Sequence, residues 1–292
     1  MLENQAQRLF DEGRFDEAIA AAETAVDSAA KLYDPARPHT AGALADCLLV
    51  EGDIKRHTGY LTAAAEIYQR VIELSNFGGS LESAVAFAHS GLGDIAEERS
   101  APIEALRHYE EAVRLLDGSG RSAEESARLH NNLAMLYKDE GDFEAAERHF
   151  IEGVRLMESR VGRMEETTAT LYNNLATLYF RAGHLEKAME MAVLARDIRT
   201  QILPEGHADL AQALSNLGAI QYNMGQLDVA IQSFDSAVDA LEASPDADPV
   251  EYEVVVSNYI DLLQEAGLQE EADKMTRRAR ERYSNLMRAR AS

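Results

Sequence analysis

Apolar residues recur at spacings of three and four along most of this chain, and the pattern they make itself repeats. One frame reads Leu133, Ala134, Tyr137, Gly141, Phe143, Ala146 and Phe150. It returns 42 residues later as Leu175, Ala176, Tyr179, Gly183, Leu185, Ala188 and Ala192. Another 42 gives Leu217, Gly218, Gln221, Gly225, Leu227, Ala230 and Phe234, and a further 42 gives Tyr259, Ile260, Leu263, Gly267, Gln269, Ala272 and Thr276. Upstream the frame is looser: Leu92, Gly93, Ala96, Pro102, Ala105 and Tyr109, then Gly59, Leu61, Ala64 and Tyr68, then Gly13, Phe15, Ala18 and Ala22. A long fixed period is the mark of a repeat array and argues against a generic helical bundle. The frame predicts about seven helix-turn-helix units, near 1–38, 39–80, 81–121, 122–163, 164–205, 206–247 and 248–283. The array is expected over 1–273, with 274–292 as a basic capping helix or tail.

Each unit has its own local logic. A first helix ends at Gly141, Gly183, Gly225 or Gly267, where glycine lets the chain stop and reverse. A second amphipathic helix follows, and Ala146, Ala188, Ala230 or Ala272 lets the two helices approach closely. Breakers separate the units: Asp34 to Pro38, Phe77 to Gly79, Gly118 to Gly120, Pro204 to Gly206 and Pro245 to Pro249. No stretch shows the alternation of a strand, so the expected class is all-α.

Composition narrows the function. With 46% hydrophobic residues the chain can fold, and a formal charge of -23 argues against nucleic acid, whose phosphates need Lys and Arg. Cys47 is the single cysteine, which excludes an internal disulfide and fits a reducing compartment. The first residues lack the basic and apolar regions of a signal peptide, and no apolar run approaches a membrane span. The expectation is therefore a cytoplasmic protein that binds neither membrane nor nucleic acid. Charge is unevenly placed: beyond Asp273, seven basic residues against Glu281 alone leave the tail at about +6 and the rest at about -29. Such a tail either solvates the end of an array or docks on an acidic surface, including that of a second copy.

The frame resembles tetratricopeptide repeats, whose usual unit has 34 residues. The longer spacing, with Asn131-Asn132-Leu133-Ala134 and Asn173-Asn174-Leu175-Ala176, looks like the repeats of kinesin light chain, as does Leu203-Pro204-Glu205-Gly206-His207 between units. The resemblance is strong over about 126–280 and weaker before it, where Ser100 replaces the turn glycine and the Asn pair is absent. It implies a right-handed α-α superhelix that binds peptides or proteins, with the first helices lining a concave surface. Carried over residue by residue, the inward positions are Arg128, Asn131, Asn132, Met135 and Lys138, then Asn173, Asn174, Thr177, Phe180 and Arg181. Next come Gln212, Ser215, Asn216, Ala219, Tyr222 and Asn223, and last Ser257, Asn258, Asp261 and Gln264.

Within that set, Asn132, Asn174, Asn216 and Asn258 form a ladder at one position of four successive units. The amides could hold the backbone of an extended guest, or could hydrogen-bond within the array and tie its units together. Arg128, Lys138 and Arg181 could attract an acidic or C-terminal segment, or pair with neighbouring acids. Four amide contacts at about 1 kcal/mol each reach only roughly millimolar affinity. Side-chain anchors are needed, and Phe180, Tyr222 and Met135 are the candidates, though the two aromatics could equally serve packing. The set of basic and amide residues that grips a C-terminal carboxylate in co-chaperone repeats is not reproduced.

No catalytic constellation emerges. The histidines, among them His39, His57, His89 and His108, lack metal-ligand spacing, so neither metal nor cofactor is expected. Gly91-Leu92-Gly93 sits in a helix with no preceding strand, which fails the dinucleotide-loop context. Ser28 and Lys31 have a serine-lysine spacing without its companion motifs. The expectation is a non-enzymatic adaptor or scaffold that holds a protein or peptide. A regulatory or sensor module and a scaffold assembling through its basic tail are the alternatives.

Overall fold

A computed structural model of the chain describes residues 2–35, 37, 40–77, 81–119, 123–204, 206–243 and 248–291. Among the inter-unit breakers, Ala36, Pro38, Gly78, Gly79, Gly120, Glu205 and 245–247 lie outside that set, as does His39. The described residues form helices and no strand. In order they are α1 (Leu2–Asp11), α2 (Phe15–Leu32), α3 (Ala41–His57), α4 (Leu61–Leu74), α5 (Glu82–Glu98) and α6 (Pro102–Ser119). Then come α7 (Ala123–Asp139), α8 (Phe143–Arg160), α9 (Glu166–Arg181) and α10 (Leu185–Ile202). The last are α11 (Ala208–Asn223), α12 (Leu227–Ala243), α13 (Pro249–Glu265) and α14 (Gln269–Ala291). The chain is an all-α helical repeat, and the basic residues from Lys274 onward continue α14 without a break.

It divides into two compact units, Met1–Leu136 and Tyr137–Ser292. In the first, each helix from α1 to α6 packs on the next, and α3 also touches α1 and α5. In the second, the same holds from α8 to α14, and α11 also touches α9 and α13. Odd-numbered helices therefore lie side by side within each unit, with the even-numbered ones behind them.

The turns follow from backbone sterics. At the end of α9, Gly183 has φ 78°. Its N–H donates to the Phe180 carbonyl at 3.0 Å, and the His184 N–H reaches back to Tyr179 at 2.8 Å. That pairing satisfies carbonyls that a helix end leaves open. Ser100 does the same after α5 with φ 57°, the Ala101 N–H reaching the Ala96 carbonyl at 2.8 Å. A left-handed serine pays a steric cost that glycine avoids.

Packing depends on a matched pair of positions, one on each helix of a hairpin. Tyr68 of α4 is fully buried, and its ring lies where a side chain on Gly52 of α3 or Gly91 of α5 would stand. Tyr109 of α6 occupies the same relation to Gly93 of α5, and Phe234 of α12 to Gly218 of α11. Phe234 then stacks on Tyr259 of α13 with ring centroids 5.2 Å apart. Where the second helix carries the small Ala192, the first carries Ala176, and Thr276 is matched by the larger Ile260. In the last hairpin the large member has changed place, and between α9 and α10 both members are small, so that those helices meet at two alanines.

Buried tyrosines bring polar ends inward, and the acidic excess supplies their acceptors. The Tyr68 hydroxyl donates to Asp53 at 2.6 Å, Tyr109 to Asp94 at 2.7 Å, Tyr179 to Glu147 at 2.6 Å and Tyr259 to Asp235 at 2.9 Å. Burial holds the Asp53 carboxyl above its usual pKa, against the lowering effect of that bond. In the second unit Arg199 of α10 is only 2% exposed. It donates to Glu166 and Thr170 of α9 at 3.1 and 3.2 Å and to the Asp209 carbonyl of α11 at 2.8 Å. One guanidinium thus fixes three consecutive helices, and its charge is met by hydrogen bonds as burial requires.

Three outcomes test this account. Gly218→Ala would set a Cβ 2.7 Å from the Phe234 ring. It should cost about 1–3 kcal/mol in urea denaturation, partly recovered by adding Phe234→Leu. Ser100→Gly should raise stability by about 0.5–1 kcal/mol in the same assay.

The third outcome concerns His89 and His108, whose Nδ1 atoms lie 3.0 Å apart between α5 and α6. Burial lowers both pKa values from 6.5; for His89 the second cause is His108, while Glu111 and Glu104 oppose and Arg114 and Arg107 reinforce. The folded state then favours neutral rings, so their contribution is present above about pH 6.5 and fades as pH falls through the lower folded values. Between about pH 7.5 and 5.5 the melting temperature should fall further for the wild type than for His108→Phe.

Candidate functional site

Three adjacent helices of the second unit, α9, α11 and α13, wall a cavity of about 410 Å3, with Phe234 of α12 at its base. Local sequence sets each wall. Thr177, Phe180 and Arg181 recur at helical spacing on α9, and Asn216, Ala219, Tyr222 and Asn223 do so on α11. Asn258, Asp261 and Glu265 share one face of α13. That helix starts firmly: the Asp248 side chain accepts from the Val250 N–H at 2.7 Å, and Pro249 takes the first turn, where no N–H is needed. Arg199 bonds the starts of α9 and α11, at the other end of these helices from the cavity, and so fixes their relative register.

Nine of the twenty inward positions read from the sequence come together here: Thr177, Phe180, Arg181, Asn216, Ala219, Tyr222, Asn223, Asn258 and Asp261. Phe180 and Tyr222 are half-buried, presenting apolar surface beside polar groups. Arg181, Asn258, Asp261 and Glu265 are exposed, and none makes a hydrogen bond or ion pair among the described residues.

Of the others, Gln212, Ser257 and Gln264 are exposed outside this cavity, and the rest are otherwise occupied. Asn173 and Ser215 are buried, and Asn174 is half-buried. Arg128, Asn131, Asn132 and Met135 belong to the stretch of α7 in the first unit. There Arg128 pairs with Glu125 at 2.6 Å, and Asn131 donates to Asn132 at 3.5 Å. The Lys138 side chain is only 10% exposed, 3.6 Å from Asp139.

The ladder asparagines do not behave alike. Asn216 donates its amide to the Asn173 Oδ1 at 2.9 Å, so this rung ties α11 to α9. One repeat later, the residue corresponding to Asn173 is Ser215, whose side chain is shorter. Asn258 is left without that acceptor and faces the cavity. Two acids complete the lining. Asp261 was among the inward positions, but Glu265 was missed, although its spacing of four from Asp261 and seven from Asn258 is the signal that finds it.

Features with a chemical look have structural uses. Gly91 and Gly93 make room for the Tyr68 and Tyr109 rings. Ser28 bonds the Thr24 carbonyl of its own helix at 2.8 Å. Ser126 and His130 both bond Asp117, the serine by its hydroxyl and the imidazole Nε2 at 3.3 Å. The acid lies between them, whereas activation of a serine needs the histidine in the middle. Among the described residues, no three side chains form a metal-binding group, and no helix is long and apolar enough to cross a membrane.

Comparison with known proteins fits this geometry. The tetratricopeptide repeat family model matches residues 125–201 and 168–243, two windows offset by about one repeat. No curated protein matches the chain in sequence. Among solved structures, BtubC (BKLC) from P. vanneervenii is similar with a TM-score of 0.69 and 27% identity, over 78% of this chain and 91% of that one. A kinesin light chain protein from Podosopora anserina, with nearly identical TPR-like repeats, shares the fold. Its TM-score is 0.61 at 16% identity, covering 72% of this chain and 100% of that one. The sequence frame, the hairpin architecture and the family model agree that residues 125–243 of the chain are tetratricopeptide repeats.

Proposed function

We propose that the protein is a non-catalytic interaction module that holds a segment of a partner protein in the cavity walled by α9, α11 and α13. The observation that carries this reading is the cavity itself: two half-buried aromatic rings beside exposed polar groups with no bonds of their own. A tetratricopeptide-repeat fold supports a role in protein interaction generally. At about 410 Å3 the cavity suits a few side chains of a longer guest. Phe180 and Tyr222 are the anchors in this reading, because covering an aromatic ring is worth more than an added amide contact. Asn216 already bonds Asn173, so an amide ladder running along the guest has less to offer than four free rungs would.

The expectation of an acidic guest loses most of its support. Arg128 is paired and Lys138 is mostly buried, which leaves Arg181 as the cation in the cavity, facing two acids. Assembly through the basic tail is weakened in the same way. Arg278 is engaged by Asp239 and Glu242 of α12 at 2.6 and 2.8 Å, and Arg282 bonds the Glu242 carbonyl at 3.0 Å. A cytoplasmic setting fits the lone, buried thiol of Cys47.

Panning a random peptide library displayed on phage against the full chain tests the reading. Selected peptides, measured by fluorescence anisotropy, should bind Phe180→Ala and Tyr222→Ala at least about tenfold more weakly than wild type, or ~1.4 kcal/mol. Circular dichroism should show both variants folded. Failure to select any peptide, or hits indifferent to both substitutions, overturns the proposal.

A further inference from the structure

We infer that the guest of this cavity carries a basic side chain, a lysine or arginine that docks against Asp261 and Glu265 of α13. The inference rests on the reading of the cavity as a binding site and adds the chemistry of what enters it. Asp261 and Glu265 are one helical turn apart and line the same wall, so a single cation can meet both carboxylates. Neither is bonded to any described residue, which sets them apart from Asp53, Asp94, Glu147 and Asp235, whose charges are committed to tyrosine hydroxyls. Arg181 lines the cavity from α9, also without a bond among the described residues, where it can donate to a backbone carbonyl or a carboxylate of the same guest.

The walls are therefore polarised, anionic at α13 and cationic at α9, and that asymmetry gives a guest one preferred direction. Two carboxylates against one guanidinium leave the cavity net negative. The whole chain, at -23, reinforces the preference by drawing in cations and repelling acidic segments. Phe180 and Tyr222 add ring faces on which the stem or charge of a basic side chain can lie.

The peptides selected by panning are the probes. Their sequences should be enriched in lysine and arginine over the starting library. Replacing the basic residue of a selected peptide by glutamine should weaken binding about tenfold, and by glutamate further still. Raising salt to about 0.5 M should remove most of the difference between the lysine and glutamine forms. On the protein, Asp261→Asn combined with Glu265→Gln should bring those two forms within about twofold of each other. Both positions are exposed, so the fold should be unaffected. Arg181→Gln should leave the preference for lysine intact. Selected peptides that are acidic or neutral, yet still depend on Tyr222, overturn this inference and leave the binding role standing. Peptides indifferent to both Phe180 and Tyr222 overturn the two together.

Discussion

A hairpin of two amphipathic helices cannot bury its apolar face alone, so every hairpin depends on its neighbour for a core. The fit between Gly218 and Phe234 shows how that dependence is met. The ring enters the space where a side chain would stand, then stacks on Tyr259 of the following hairpin. Tyr68 does the same between Gly52 and Gly91, each on a different hairpin. Such a contact sets the separation of the two helices it joins and the position of the next one. The placing of α13 beside α11 follows from a contact of this kind, and Arg199 ties the start of α9 to the start of α11 by hydrogen bonds.

The acidity of the chain has two parts with different consequences. Some carboxylates are structural, accepting the hydroxyls of tyrosines whose rings fill the core. A buried tyrosine without an acceptor is costly, so these acids are tied to the aromatic positions of the repeat. Others, such as Asp261 and Glu265, have no such duty. Net charge sums both kinds and cannot say which are free to meet a guest.

Much of the fold was legible because its rule is local and repeated. Gly141, Gly183, Gly225 and Gly267 fall at helix ends with positive φ, as their place in the frame required. Even the break in the pattern was informative: Ser100 replaces the glycine and still adopts the left-handed backbone. The site was less legible. Arg128, Lys138 and Arg181 look equivalent as residues, yet Glu125 engages the first, burial beside Asp139 takes the second, and only the third is exposed and unbonded. Pairing across three or four residues and the burial of a long side chain depend on neighbours that periodicity does not rank. Glu265 was missed although it stands 42 residues after Asn223 and 84 after Arg181, because residue type at this place changes from one repeat to the next while the spacing holds.

The amide ladder shows how a repeat can produce a site by failing to repeat. In the rung formed by Asn216 and Asn173, one amide donates to the other and the contact serves the stack. Ser215 stands where the next acceptor would be, and its side chain is shorter, so Asn258 has no partner for its amide among the described residues. The same helix turns Asp261 and Glu265 to the cavity, again without partners. A polar group that the fold satisfies stabilises the fold, whereas an exposed one held in place by packing is available to another molecule. Among the polar groups that line the cavity, those without a partner among the described residues therefore concentrate on α13, while the apolar frame of Tyr259 and Leu263 continues to hold the helix in register.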